Sequence, residues 1–186
     1  MPPLARCARL VIVALMVALT VALAALRGSG LRAEEPWQTV TGSEKSFTVE
    51  LPAAPDHTTS ELHTGAGAAY TMHQYVVNRG DLAYVVWSAT YPAEVNVATP
   101  RANLQSGLDN AAKGMEGGRW ASIDWLTHQG HVAVDALGVR SGKAIRSFLV
   151  LKGRQIVSLT YAGPIGSAQS TDAMRFIGSL KLDPAP

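Results

Sequence analysis

The stretch that decides the fold is residues 120–162, which read WASIDWLTHQGHVAVDALGVRSGKAIRSFLVLKGRQIVSLTYA. Within it, polar and apolar side chains alternate along four segments, and three short joints that each carry a glycine separate them. The segments are Trp120–Leu126, Val132–Val139, Ala144–Leu151 and Gln155–Ala162, and the joints are Gln129-Gly130, Ser141-Gly142 and Lys152-Gly153. Because such joints are typical of β-hairpins, this stretch predicts four antiparallel strands in a meander.

The chain before the meander also carries strand patterns. They cover Trp37–Val40, Ser46–Leu51, Thr59–His63, Ala68–Val77 and Leu82–Tyr91, and the turn residues 78–81 separate the last two. Strands grouped in runs, rather than alternating with helices, favour an α+β fold with an antiparallel sheet over a doubly wound parallel sheet.

Two amphipathic helices are predicted, one before the meander and one after it. The first begins with Thr99 as its N-cap and Pro100 as its first residue, and it ends at Gly117-Gly118. Its apolar stripe comprises Leu104, Leu108, Ala111, Ala112 and Met115. The second opens at residues 170–172, and its apolar face comprises Ala173, Phe176, Ile177 and Leu180. Because each helix has one apolar face, we expect both to pack on the sheet of a single domain, residues 37–183.

Residues 1–33 have the composition of a targeting segment. Arg6 and Arg9 precede an apolar run from Leu10 to Leu26, and small residues lead from there to Ala33. This order predicts a hydrophobic signal helix that is removed as a secretory signal peptide. The run of 17 residues also reaches the shortest length that spans a membrane, so an uncleaved N-terminal anchor is the alternative. Either form predicts a bacterial domain outside the cytoplasm, periplasmic or secreted, or tethered to the inner membrane.

Charge and cysteine content exclude several classes of function. The chain has 16 Lys and Arg against 14 Asp and Glu, but four of the basic residues lie in residues 1–33 and none of the acidic ones do. The rest of the chain is therefore slightly acidic, which argues against a nucleic-acid partner. The one cysteine, Cys7, also lies in this leader, so the domain has no disulfide, thiolate metal ligand or cysteine nucleophile.

Three segments carry a resemblance to a known family. The strand Ser46–Pro52 with Pro55 resembles the opening F-S-V-x-x-P-x-x-P strand of the PsbP-like superfamily. Residues 146–150 and 153–157 are similar to its late hairpin, and residues 176–182 resemble its closing helix and tail. The similarity runs in order through nearly the whole chain after the leader.

The resemblance implies an α/β/α sandwich around an antiparallel sheet. Known members include the extrinsic photosystem II subunit and a nuclear-import factor that binds the small GTPase Ran, and these act by docking to other proteins rather than by catalysis. A photosystem role is not expected, because the leader is of bacterial type and not a chloroplast transit peptide. The resemblance assigns no functional residue, and a fold does not supply a function.

The five histidines are the first candidates for chemistry. His128 and His131 flank the Gln129-Gly130 joint, where they could share a metal with Asp124 or Asp135, and His63 could face His73 across the second hairpin. The remaining one is His57. A metal site needs three or four ligands in a defined geometry, so we expect exposed hairpin histidines without a metal.

Other catalytic patterns are absent from the sequence. It has no G-x-S-x-G and no Walker lysine, and the glycine-rich segment 65–69 lacks the third glycine of a dinucleotide loop. Asp124 and Asp135 are expected nearly opposite each other on paired strands, as solvated positions of the sheet. We therefore predict no catalytic residue, no cofactor and no metal.

Two side-chain groups are candidates for binding. Arg140, Lys143, Arg146, Lys152 and Arg154 concentrate in the meander. They predict either a basic patch for an acidic partner or lipid headgroups, or, as we favour, a sheet edge protected by charge. The large aromatic residues Tyr84, Trp87, Tyr91, Trp120 and Trp125 are expected in the core or at its rim.

These observations predict an exported, non-catalytic binding or accessory protein of the bacterial cell envelope, which docks to another envelope protein or to a small ligand. The alternative is a small envelope enzyme, or a metal- or ligand-binding protein, that uses its histidines. A third interpretation is a structural protein tethered to the membrane through residues 10–26. Contact with the membrane is expected only through those residues, if they are uncleaved.

Overall fold

The structure is a computed structural model and describes residues 36–182. The strands are β1 Gln38–Thr41, β2 Phe47–Leu51, β3 Asp56–His63, β4 Ala69–Arg79, β5 Leu82–Thr90, β6 Ser122–His128, β7 His131–Arg140, β8 Lys143–Lys152, β9 Gln155–Pro164 and β10 Lys181–Leu182. The helices are α1 Pro100–Ala112 and α2 Thr171–Gly178. The predicted targeting segment, residues 1–33, lies outside the described residues.

Seven strands form one antiparallel sheet in the order β3-β4-β5-β9-β8-β7-β6. The four strands β6 to β9 are successive neighbours, so the predicted meander is confirmed. The two runs of strands join where β5 pairs with β9, with Val86 opposite Leu159 and Tyr84 opposite Tyr161. Three more strands form a second sheet in the order β1-β2-β10, which shares no strand pairing with the first.

The alternation along the strands gives the large sheet two buried faces. On the face that we call the α2 side, Tyr84 and Leu159 pack with Phe47 of β2 and Phe176 of α2. On the opposite face, the α1 side, Trp87 and Leu149 of the sheet pack with Leu104 and Leu108 of α1. The helices therefore lie on opposite sides of the sheet, which confirms the predicted α/β/α sandwich.

The first helix is shorter than the sequence pattern predicted. It ends at Ala112, and Met115 is buried outside it, beside Trp120. Both side chains pack against Gly138 of β7, where an added Cβ would lie 3.0 Å from Trp120 Cε3 and 3.2 Å from Met115 Sδ. Met115 therefore has the spacing of the helical stripe, but it reaches the core from the turn that follows the helix.

The two helices begin differently. Thr99 occupies the predicted N-cap position of α1, but its side chain accepts no hydrogen bond from a helix amide. Ser170 does cap α2, because its hydroxyl accepts from the amide of Ala173 at 3.3 Å.

Candidate docking surfaces

Two of the three histidines on β3 and β4, His57 and His73, stack as rings, and the three form no metal-ligand set. His57 lies opposite Tyr75, and the two rings are parallel with centroids 4.3 Å apart. The ring of His73 stacks on His57 at 5.6 Å. The expected pairing of His63 with His73 is wrong, because the register places Thr59 opposite His73.

His128 and His131 lie directly opposite each other across the hairpin, but they do not form an exposed pair. The ring of His128 turns inward and meets Phe148 edge to face at 5.3 Å, and its Nε2 is buried without a hydrogen-bond partner. Burial lowers the pKa of His128, and His131 adds to that effect, whereas the Leu180 carbonyl opposes it. The prediction of two exposed histidines is therefore wrong for this pair. Among residues 36–182, no group of three His, Asp or Glu could hold a metal ion.

The predicted carboxylate pair is confirmed in position, but one member is already engaged. Asp124 lies opposite Asp135, as the hairpin register requires. The Arg146 guanidinium donates to both oxygens of Asp135, at 2.6, 3.1 and 3.2 Å, and its side chain is only 11% exposed. The same guanidinium donates to the Ala168 carbonyl at 3.2 Å. Asp135 and Arg146 therefore tie β7 and β8 to the segment that leads into α2.

The basic side chains of the meander serve separate parts of the fold. Arg154 donates to the carbonyls of Tyr91, Pro92 and Val95, and so holds the loop between β5 and α1. Lys143 reaches the Asp81 carbonyl at 3.2 Å. Because β8 and β9 are inner strands, the favoured interpretation of a charged sheet edge is wrong for the residues they carry.

The aromatic residues occupy the core and its rim, as predicted. Tyr84, Trp87 and Trp120 are buried, and Tyr91 and Trp125 are half-buried. Burial raises the pKa of Tyr84 and of Tyr91 to about 12 each.

A shallow depression beside the end of β7 is lined by Glu116, Arg119, Trp120, Ala121 and Val139. It contains no histidine, and the Glu116 carboxylate already accepts from the Gly142 amide at 2.8 Å. The lining supplies no nucleophile paired with a base.

The most exposed large apolar side chains of the described residues lie on the segment that closes the α2 side. Ile165, in the turn after β9, is 63% exposed, and Met174, on the outer side of α2, is 50% exposed. The Arg146 Nη1 lies 2.7 Å from the Met174 sulfur. Arg175, the next residue, stacks on Trp37 at 4.5 Å and binds Glu50 at 2.7 Å. We call Ile165, Met174 and Arg175 the α2 face.

A second group of exposed apolar side chains lies on β6, which is the outermost strand at one end of the large sheet. Ile123 is 37% exposed and Leu126 is 39% exposed. The half-buried Trp125 between them carries the Arg101 guanidinium over its ring at 4.6 Å. We call residues 122–128 the β6 edge.

Neither surface was singled out from the sequence, although a signal for each is present. Met174 falls outside the apolar stripe of its own helix, and Ile165 stands between Pro164 and Gly166, in a turn where an apolar residue has no strand to bury it. On β6, Leu126 has no large apolar neighbour across the strand pair, because it faces Ala133.

The architecture defines a class: an antiparallel α/β/α sandwich with the PsbP-like fold. In particular, the chain is similar to the solution structure of cyanobacterial PsbP (CyanoP) from Synechocystis sp. PCC 6803, with a TM-score of 0.52. The likeness covers 87% of this chain and 99% of that one at 9% sequence identity, so it shows a shared fold. No protein-family profile and no curated protein sequence matches this chain. Among residues 36–182, no helix has the length and apolar character that crossing a bilayer requires.

Proposed function

We propose that this protein is an exported, non-catalytic accessory protein that docks to another protein of the bacterial envelope through the α2 face. The observation that carries the proposal is the exposure of Ile165 and Met174, at 63% and 50%, together with the contact between Met174 and the Arg146 guanidinium. Apolar side chains of this size next to an arginine are typical anchors of protein interfaces, where Met and Arg are enriched.

Hydrogen bonds within the fold already hold the residues beneath Met174. Arg146 holds Asp135, the Ala168 carbonyl and the Met174 sulfur at the same time. A surface that is already ordered loses little conformational freedom on binding, and so more of the contact energy appears as affinity. Full burial of a side chain such as Ile165 contributes about 1.5–3 kcal/mol.

The same contacts disfavour the catalytic alternative. The two histidine pairs, on β3–β4 and on β6–β7, lie at opposite ends of the sheet, and the Asp135 carboxylate is already paired with Arg146. General acid–base or nucleophilic chemistry requires such groups to converge on one point. The export part of the proposal rests on the composition of residues 1–33.

Site-specific photocrosslinking in the native envelope tests the docking proposal. A photoreactive residue in place of Met174, in the full chain, is expected to give one defined adduct with an envelope protein. The same residue in place of Thr59, which is exposed on β3, is the matched control and should give no such adduct. Adding Ile165→Ser should abolish the adduct at residue 174. Equal labelling at both positions, or an adduct that ignores Ile165→Ser, would overturn the proposal.

The location is tested separately, by sequencing the N-terminus of the protein isolated from cells. A start near Glu34 corresponds to a cleaved signal peptide, and a start at Met1 in a membrane fraction corresponds to the tethered form. Recovery of the intact chain from the cytosol would contradict export.

A further inference from the structure

We propose that the β6 edge pairs with the β6 edge of a second copy of this chain, antiparallel and across a two-fold axis at Trp125. This inference goes beyond the docking function and uses a different surface. It would join the two seven-stranded sheets of the copies into one continuous sheet.

The hydrogen-bond pattern of the β6–β7 hairpin shows which groups of β6 are free. Gln129 and Gly130 form a two-residue turn, and both have positive φ, 49° and 82°. In such a hairpin the flanking residues, His128 and His131, exchange both of their backbone hydrogen bonds. Hydrogen-bonded and non-bonded pairs then alternate away from the turn.

It follows from this alternation that every second residue of β6 points its amide and carbonyl away from the sheet. The residues that bond to β7 are Ser122, Asp124, Leu126 and His128. Those that point outward are therefore Ile123, Trp125 and Thr127, which together offer three donors and three acceptors along an edge that no strand among residues 36–182 covers.

The strand lacks most of the devices that usually block such an edge. Proteins protect free edges with lysine, proline or a bulge within the strand. β6 reads SIDWLTH, which contains neither lysine, arginine nor proline, and its one acidic residue is Asp124. Its apolar residues Ile123 and Leu126 remain partly exposed, one on each face of the sheet.

The register with a second copy follows from charge and from the outward groups. A two-fold axis at Asp124 would place that carboxylate against its own copy, and like charges directly opposite are destabilising. An axis at Leu126 would place Ile123 opposite Gln129, which has a left-handed turn conformation and cannot continue a strand.

An axis at Trp125 satisfies both requirements. Trp125 then faces its copy, Ile123 faces Thr127, and Asp124 faces Leu126, so that all outward groups bond and the two carboxylates stay apart. The Arg101 guanidinium on each Trp125 ring is exposed to solvent, where salt screens the repulsion between the copies. The strand is thus self-complementary, and a second copy is the occupant that fits it.

The proposed dimer has a consequence for docking. Because paired residues of neighbouring strands point to the same side, the α2 sides of the two copies lie on one side of the joined sheet. Two α2 faces would then engage a two-site partner with an avidity that neither has alone. A contact of one strand from each copy buries less than a standard interface, so we expect weak dimerisation, with Kd on the order of micromolar or above.

Disulfide trapping tests the register directly. In the full chain carrying Cys7→Ser, mixing Asp124→Cys with Leu126→Cys is expected to give a disulfide-linked dimer on mild oxidation. At this axis the two residues form a non-bonded pair with Cα atoms about 4.5 Å apart, within the range for a disulfide. The control mixture, Thr59→Cys with Glu61→Cys on the edge strand β3, should give at least tenfold less.

Three results would overturn the proposal. One is trapping no better than that of the β3 control mixture, and another is efficient trapping of Leu126→Cys with itself, which would move the axis.

The third comes from sedimentation of a Thr127→Pro variant, which removes an outward amide but no β6–β7 hydrogen bond. We expect this variant to raise Kd at least tenfold, and an unchanged Kd would contradict pairing at this edge. Crosslinking at Met174 in the same variant tells the two proposals apart, since its persistence would leave the docking function standing.

Discussion

The two outer strands of the large sheet, β3 and β6, solve the same problem in opposite ways. β3 reads DHTTSELH, and all its residues except Leu62 are exposed, so the strand gives almost nothing to either core. β6 reads SIDWLTH, and it supports both cores, with Trp125 on the α1 side and His128 on the α2 side. An edge that helps to hold the core cannot also be polar throughout. The outer strand with exposed apolar residues is therefore also the one that packs against both cores.

The largest expected change in stability comes from removing the ion pair between Arg146 and Asp135, on the two strands next to β6. Arg146→Ala leaves the Asp135 carboxylate, which is mostly buried, without its partner, and should lower the free energy of unfolding by about 3 kcal/mol. Arg175→Ala breaks the more exposed pair with Glu50 and should cost about 1 kcal/mol or less. Urea unfolding of the two variants measures the difference, and equal losses would contradict a structural role for Arg146.

The second effect compares the two edges directly. Trp125→Ala removes a half-buried ring and its contact with Arg101, and should cost about 2 kcal/mol. Thr58→Ala, an exposed position of β3, should change stability by about 0.5 kcal/mol or less. Thermal unfolding that ranks the two variants the other way would show that β3, not β6, supports the core.

A third variant tests how tightly the chain packs beside β6. Gly138→Ala places a methyl group 3.0 Å from the Trp120 ring and 3.2 Å from Met115, so we expect a loss of about 1–2 kcal/mol from overpacking. Gly107→Ala on α1 is the matched control, because its nearest side-chain atom, on Leu149, is 4.0 Å away. That change should stabilise by roughly 0.5–1 kcal/mol through helix propensity, as chemical denaturation can show.

The smallest effect concerns acid stability at the β6 end. Burial holds the pKa of folded His128 below the ordinary value of 6.5, so the unfolded chain takes up a proton at a higher pH than the folded one. Stability from this group is complete above pH 6.5 and decreases as the pH falls from there toward the folded pKa.

His128→Phe should reduce the fall in the free energy of unfolding between pH 7.5 and 5, which we call the acid limb. His63→Phe on the exposed edge β3 is the control and should leave the limb in place, because His128 is still present. An unchanged limb in His128→Phe would show that another group is responsible.

Much of the architecture could be predicted because its signals are local. The alternation in Val132–Val139 and the glycine joints of residues 129–153 fix strands and hairpins within a few residues of chain. The pattern does not predict where α1 ends, because Met115 continues its apolar stripe from a turn beyond Ala112. Within the candidate site, the hairpin pattern predicts that Asp124 lies opposite Asp135, but it does not predict that Arg146 of the neighbouring strand β8 binds Asp135.

Every strand except β10, both helices, the antiparallel class and the absence of thiol chemistry in the domain follow from neighbouring residues or from composition, so the sequence alone predicts them. Long-range packing places β5 beside β9, brings His128 to the Leu180 carbonyl, and makes β6 rather than β3 the apolar edge. These features depend on which surfaces distant in sequence pack together. Burial by such a distant segment does not show in the local polar–apolar pattern of the residues that it covers.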